Sequence, residues 1–583
     1  MAWESATGYA RLLAHAAGVA ARRAVVAVEA GPFARWRWPG PTPERLVIAP
    51  QDIRTADPTL AADIYAGLFA FAGKVVETGG RSPFEVREAS DDWMRVLHGF
   101  TWLRHLRAAD GALTRQNARA LVADWIAQEA KAPPLAFEAE VLAHRVLAWI
   151  TQSPLILEDA DRSFYRRFLR SLTRQLRRLR TRYLDAQEGW PRLLSAIAVA
   201  EAALSLDGQQ RLVRQATHRL DQELSDQVLS DGGHVSRNPG ILLEILTELL
   251  PLRQAYTARG LTPSNTLIGA IDRMMPMLRF FRHSDGAFAH FNGMGSTPAD
   301  QLATVLAYDD VRGRPVQDAS YSGYQRLEAG GTLVLMDVGG PPPLALSAGA
   351  HAGFLSFEMS GAAHRFIVNC GVAEGDERWR QIARATPAHS TLTVEETSSA
   401  SFLTQPALRR RLGPLLVSGP SSVTARRTEG PAGIEVVARH DGYSRRFGLI
   451  HERQIVLNAD GSVLTGLDRL ITRSGGADGR RRFDIRFHLH PAVRANRTAG
   501  GDILLLSPDG EAWTFSCPLI EPVLAESIYL SDVHGRRRSA QIVLSGGARV
   551  TPEVGWTLTR TGLSNRVRGG RARAGQVGPD LFG

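Results

Sequence analysis

Nine consecutive residues, Asp231-Gly232-Gly233-His234-Val235-Ser236-Arg237-Asn238-Pro239, set an imidazole, a guanidinium and an amide within five positions of a glycine turn. His234 could carry a proton near neutral pH. Arg237 could hold a carboxylate or sulfate in its planar fork. Asn238 adds a neutral hydrogen-bonding group beside them. A second polar loop brings His283, His290 and Asn292. Farther along, His351 precedes the run LSFE, and Trp379, Arg380, Arg384 and His389 fall in a stretch without clear period. Trp379 could stack on a sugar ring or fill a core. Each group is unspecific alone; gathered, they would line a basic, partly aromatic cleft for acidic ligands. His488 and His490 lie on the outer face of a predicted strand, where a sheet-surface role is expected.

Such loops need rigid elements to hold them. From about residue 59 to 282 the apolar residues recur at three- and four-residue spacing, as Trp93, Val96, Leu97, Phe100, Leu103 and Leu106 do. That is the stripe of a helix packed on one side. Asp161 and Ser163 offer N-cap chemistry for a long helix whose apolar face is Phe164, Phe168, Leu172, Leu176, Leu179 and Tyr183. The arginines between them read as its solvated face. Further helices are expected around 114–129, 136–152, 192–206, 209–228, 240–258 and 264–281, joined by short links that imply antiparallel neighbours. Periodicity alone leaves a ring of hairpins and a plain bundle both open.

After about residue 320 the period becomes two. Ile485, Phe487 and Leu489 alternate with Asp484, Arg486 and His488. Hairpins are expected to turn at 458–461 and at 507–510. Closely spaced strands with such turns argue for an antiparallel sandwich. A change from helices to strands fits separate domains, with a boundary near 310–325.

The formal net charge is +10, with lysine at Lys74 and Lys131 alone, so the positive charge is arginine. Such a balance favours polyanions, acidic polysaccharide as well as nucleic acid. The nucleic-acid reading rests on arginine content alone, and no nucleic-acid partner is expected. Cys370 and Cys517 form no metal-type spacing. No apolar run approaches a membrane span. The N-terminal stretch, interrupted by Arg22-Arg23, reads as a short amphipathic helix and not as a cleavable signal.

The segment from His351 to Thr393, with LSFE, IVNCG, the pair Trp379-Arg380 and Arg384-Ala-Thr-Pro-Ala-His389-Ser-Thr, resembles the C-terminal signature of the heparinase II/III family. DGGHVSRNP resembles that family's Asp-Gly-x-His-x-Glu-Arg-Ser-Pro loop, and FAHFNGMGS its Phe-Asn-Asp-Ser loop. Order and spacing match over most of the chain after about residue 90. The resemblance implies an (α/α) toroid of helical hairpins at 51–315 and an antiparallel β-sandwich at 320–563. An N-terminal extension at 1–50 and a disordered tail at 564–583 complete the expected layout. It also implies a polysaccharide lyase that removes the C5 proton of a uronate and expels the 4-linked sugar by β-elimination, in the cell envelope or periplasm. A cytoplasmic location stays open, because no signal is legible.

Departures from the family pattern bear on that chemistry. Ile241 stands where the family's acid/base Tyr is expected, and Gly189-Trp190-Pro191-Arg192 where its carboxylate-binding Asn is expected. The family's His-x-His-x-Asp reads Gly349-Ala350-His351-Ala352-Gly353. His234 and Arg237 are then the candidate catalytic groups, with Asn238, Asn292, Trp379, Arg380 and Arg384 as candidate substrate contacts. Some members bind zinc at positions matching His351, Asn369 and His389, so one zinc is a candidate cofactor, although an amide is a poor third ligand. Two readings follow: a lyase for an acidic polysaccharide with altered catalytic residues, or a non-catalytic acidic-glycan-binding protein that kept the cleft. Oligomeric state is not legible.

Overall fold

The computed structural model describes residues 6–29, 43–86, 89–309, 313, 315–373, 375–472 and 481–562. The expected tail at 564–583 lies outside them.

The chain folds as an N-terminal helical toroid followed by a C-terminal antiparallel β-sandwich. In the toroid the helix Trp190–Ser205 packs against Ala139–Thr151, Gln210–Gln227 and Pro239–Ala258, and Asn265–Phe280 packs against Gln210–Gln227 and Pro239–Ala258. The helix Arg162–Arg182 begins where Asp161 accepts the Phe164 N–H at 2.8 Å. Its expected apolar face, Phe164 to Tyr183, is buried. Not all of its arginines are idle: Arg174 pairs with Glu129 at 2.5 Å and Arg178 lies over the Phe137 ring. Both expected hairpins form, Leu449–Asn458 with Val463–Thr472 and Ile503–Leu506 with Ala512–Ser516.

Two antiparallel sheets make the sandwich. One runs 423–430, 433–440, 449–458, 463–472, 553–562, 512–516, 503–506, 494–497. The other runs 523–529, 537–547, 482–489, 365–368, 357–360, 332–337, 324–329, 318–319. Between them Phe357 stacks on Trp556 with ring centroids 5.5 Å apart, and Phe487 and Phe515 close around the pair.

The second sheet has no free outer face where the toroid meets it. Tyr324, Leu333 and Leu335 join the apolar core of the helices, whereas Val334 and Met336 join that of the sandwich. Strand Thr332–Asp337 is therefore buried at every position. This corrects the expectation for His488. Its strand alternates as anticipated, but the outer face is covered at the His488 end, where His488 is 4% exposed between Ser527 and the Pro387 carbonyl.

Candidate functional site

The 228–238 loop closes on itself through Leu229 N–H to Gly233 C=O and a bridge between Val228 and His234. Gly232 is obligatory there: its φ is +87°, and a Cβ would lie 2.0 Å from the Arg273 carbonyl oxygen. Asp231 then accepts from the Ser322 N–H and hydroxyl at 2.7 and 2.9 Å, tying the loop to the sandwich.

The loop turns its polar groups inward. His234 is 2% exposed; its Nδ1 accepts from the Ser236 N–H and hydroxyl, which leaves Nε2–H to donate to Gln227 Oε1 at 3.0 Å. Both ring nitrogens are engaged. Burial lowers the His234 pKa to about 3, so the ring stays neutral. In this geometry both nitrogens of His234, the candidate proton carrier, are spent within the loop and neither faces open space.

Arg237 sits at φ +64°, a strained setting for a non-glycine residue. Its side chain crosses to the sandwich and donates to the carbonyls of Ser322 (2.8 Å), Gly323 (3.0 Å) and Gly340 (2.8 Å) and to Asp337 Oδ1 (2.5 Å). The guanidinium also lies 4.7 Å over the Tyr324 ring. Burial opposes its charge, yet Asp337 and the nearby phenol raise its pKa above the ordinary value. Arg237 is thus an interdomain brace, not the carboxylate clamp expected from sequence. Asn238 caps the next helix, its Oδ1 accepting the Gly240 N–H at 2.9 Å.

From Arg237 a hydrogen-bonded chain runs through the seam. Asn292 donates to Asp337 Oδ2 (3.2 Å) and to the Tyr324 hydroxyl (2.7 Å), which donates to the Arg237 carbonyl. Asn292 Oδ1 accepts the His351 N–H at 3.2 Å, and His351 Nδ1 meets His389 Nε2 at 2.9 Å. His389 Nδ1 faces the Ala385 carbonyl and must donate there. Its Nε2 is then the acceptor, and His351 Nδ1 the donor. Burial keeps both rings neutral, His389 at about 4 and His351 well below the ordinary range. The structure therefore unites Arg237, Asn292, His351 and His389, in a buried strut and not in an open cleft.

A second buried group was not singled out from sequence. Glu358, the acid of LSFE, accepts from the His283 ring (3.1 Å) and from the N–H groups of His290 (3.0 Å) and Asn369 (2.9 Å). Burial pushes its pKa up, but His290 and His283 hold it well below the usual carboxylate range. It fastens the 283–292 loop to the sheet. Asp337 and Tyr324 were missed as well. A lone acid ending the apolar run TLVLMD was a usable signal, because a buried carboxylate requires a partner.

The remaining candidates do not join the strut. Trp379 is half-buried on the short helix Glu377–Ala383, with Arg536 5.1 Å over its ring. Arg380 is on the surface near Glu377 (3.4 Å) and Asp92 (3.7 Å). Arg384 is 3% exposed and spends its donors on the carbonyls of Ala350, Pro414 and Ser347, so it is corrected to a structural role.

The zinc expectation fails its test of fit. The His389 Nε2 lone pair is taken by His351, and Asn369 Oδ1 accepts the Ser390 N–H at 2.9 Å. That bond fixes the amide orientation and leaves buried Nδ2, a donor that repels cations, without a partner. Among the described residues no three His, Cys, Asp or Glu are grouped to hold a metal.

The departures from the family pattern have structural counterparts. Ile241 packs against the helical core. At Gly189, where φ is +87°, a Cβ would strike the Leu346 side chain at 2.6 Å, so a sandwich loop fills the room a side chain would need. At Gly353 a Cβ would lie 2.5 Å from the His389 ring. An aspartate there would displace the ring from His351.

Comparison with known proteins agrees with this architecture. The profile of the heparinase II/III-like, C-terminal family matches residues 311–557. FtsZ-localized protein C of Caulobacter vibrioides (strain NA1000 / CB15N) is 32% identical over 538 residues, covering 89% of this chain and 91% of its own. A crystal structure of heparinase III superposes with a TM-score of 0.66 at 15% identity, over 93% of this chain and 91% of that one. A mutant of the heparan sulfate lyase HepC from Pedobacter heparinus gives 0.62 at 15% identity, over 88% and 85%. These two show the fold. With the motifs, the profile match and a relative similar along nearly its whole length, the chain belongs to the heparinase II/III family.

Proposed function

We propose that this chain is a non-catalytic member of its lyase family that binds an acidic polysaccharide. The observation that carries the reading is the commitment of the 231–239 loop: His234 to Gln227 and Ser236, Arg237 to three carbonyls and Asp337, Asn238 to its helix. β-Elimination needs a base at the uronate C5 proton and an acid at the leaving oxygen, both touching the sugar. It also needs charge stabilisation for the enolate-like intermediate. With Ile241 in the Tyr position and both His234 nitrogens engaged, this loop offers none of these. A glycan ligand follows from the family and from a net charge of +10, which draws polyanions. It also favours the cell envelope as the place of action. Calorimetric titration with heparan sulfate and polygalacturonate tests the reading. Binding is expected to weaken as salt rises from about 0.05 to 0.3 M, because screening shortens the reach of exposed charges. No heat and no complex at low salt would overturn it.

A second reading is favoured by the likeness to FtsZ-localized protein C over 89% of this chain: association with FtsZ. The cognate FtsZ polymer should then carry the protein into the pellet on centrifugation. Protein left in the supernatant at every FtsZ concentration would discard this reading.

A further inference from the structure

Two cavities adjoin, one between the N-terminal helix and the sandwich and the other at the seam of toroid and sandwich. The larger, about 560 Å³, lies between Arg11 of the helix Ala6–Glu29, the Pro341-Pro342 loop, and Ser421 and Arg445 of the sandwich. The smaller, about 420 Å³, shares Pro341, Pro342 and Val423 and opens past Tyr321. Both volumes fall within the roughly 300–1,000 Å³ usual for ligand sites.

Their chemistry differs from that of the strut. Arg11 and Arg445 are exposed, and neither forms an ion pair with any described residue. Among the described residues no Asp or Glu lines the larger cavity. The helix Ala6–Glu29 reaches this cavity at Gly8 and Arg11. In the smaller cavity Arg237 and Arg427 are already engaged, Arg427 with the Arg326 carbonyl and Glu429. Its acid, Asp318, accepts from Gln325 at 2.6 Å. Tyr321 is 68% exposed, a free aromatic face at the mouth. Exposed guanidinium groups, an aromatic face and a proline floor suit an extended chain of sugar rings with carboxylate or sulfate groups.

We infer that the acidic polysaccharide lies in this seam groove, its anionic groups between Arg11 and Arg445 and a sugar ring against Tyr321. The inference rests on the glycan-binding reading and gives it a place beside the 231–239 loop, whose Val235 and Arg237 border the smaller cavity while Arg237 stays committed to its brace. The test is calorimetric titration of the full chain with a heparin hexasaccharide. The pair Arg11→Glu/Arg445→Glu is compared with Arg166→Glu/Arg170→Glu, an equal charge change on the exposed face of helix Arg162–Arg182. The groove pair should weaken binding roughly tenfold and flatten its salt dependence, while the distant pair changes it by about twofold or less. Tyr321→Ala should weaken binding and leave the salt slope unchanged. Unaltered thermal melting shows that each variant is folded. If the wild-type chain binds and the groove pair binds equally well, the groove is wrong and the glycan reading survives. If the wild-type chain does not bind, both fall. Displacement of the hexasaccharide by poly-glutamate at equal charge concentration would overturn a polysaccharide as the occupant.

Discussion

Replacing Arg237 by alanine should lower folding stability by about 3–5 kcal/mol, the usual penalty for removing one partner of a buried ion pair. Asp337 would remain buried beside Tyr324 with its counter-charge gone, and three carbonyls would lose donors. Relief of the left-handed backbone at Arg237 offsets little, because alanine is no better suited to φ +64°. Lysine should rescue poorly, since one ammonium cannot reproduce a planar fork reaching four acceptors. Joint replacement, Arg237→Met with Asp337→Leu, should recover part of the loss by removing both charges. Chemical denaturation reads these outcomes. A change within about 0.5 kcal/mol, as expected for an exposed ligand-binding arginine, would show that Arg237 is not the brace described here.

The second large effect is acid lability. His144, His234, His488 and His490 have pKa values lowered to about 3, and His389 to about 4, in each case first by burial. In the unfolded chain each returns to about 6.5. Between those values the unfolded state binds protons that the folded state refuses. Stability is therefore full above about pH 6.5 and falls as the pH drops towards the folded values, by up to about 1.4 kcal/mol per unit for each histidine. If two of the five act fully, lowering the pH from 7 to 5 removes about 4 kcal/mol. Glu358 and Asp468 add a second loss of the same sign, since both are held below the ordinary range. Their stabilisation is present above about pH 4 and disappears as the pH falls through their folded values. Denaturant midpoints should differ little between pH 7.5 and 6.5 and fall clearly at pH 5.5. Equal midpoints would contradict neutral buried rings.

Much of the fold was legible because burial writes a period into the chain. The stripe from Phe164 to Tyr183 and the alternation at 484–490 each follow from one covered face. What covers the other face is not written locally, which is why His488 was read as a surface residue. The candidate loop was legible as a polar turn, but not in the direction of its side chains. Arg237 looked available because its acceptors at Ser322, Gly323, Asp337 and Gly340 lie 85 to 103 residues away. Asn238 in the sequence Asn-Pro at a helix start carries a cap signal, and its side chain is spent on that cap. Gly189 and Gly353 read as deletions of catalytic groups, whereas the fold shows Leu346 and His389 occupying the space a side chain would take.

Whether the 231–239 loop braces or catalyses is decided most directly by the ultraviolet absorbance of unsaturated uronate ends. Heparan sulfate, hyaluronate, polygalacturonate and alginate would be incubated with protein in excess over chain ends, at several pH values between about 6 and 9, where an imidazole or phenol base would act. The brace predicts absorbance no greater than that of the polysaccharide alone, at every pH, from protein that still binds at least one of these chains. Product that rises with protein concentration and disappears in His234→Ala, with the fold intact, would contradict it.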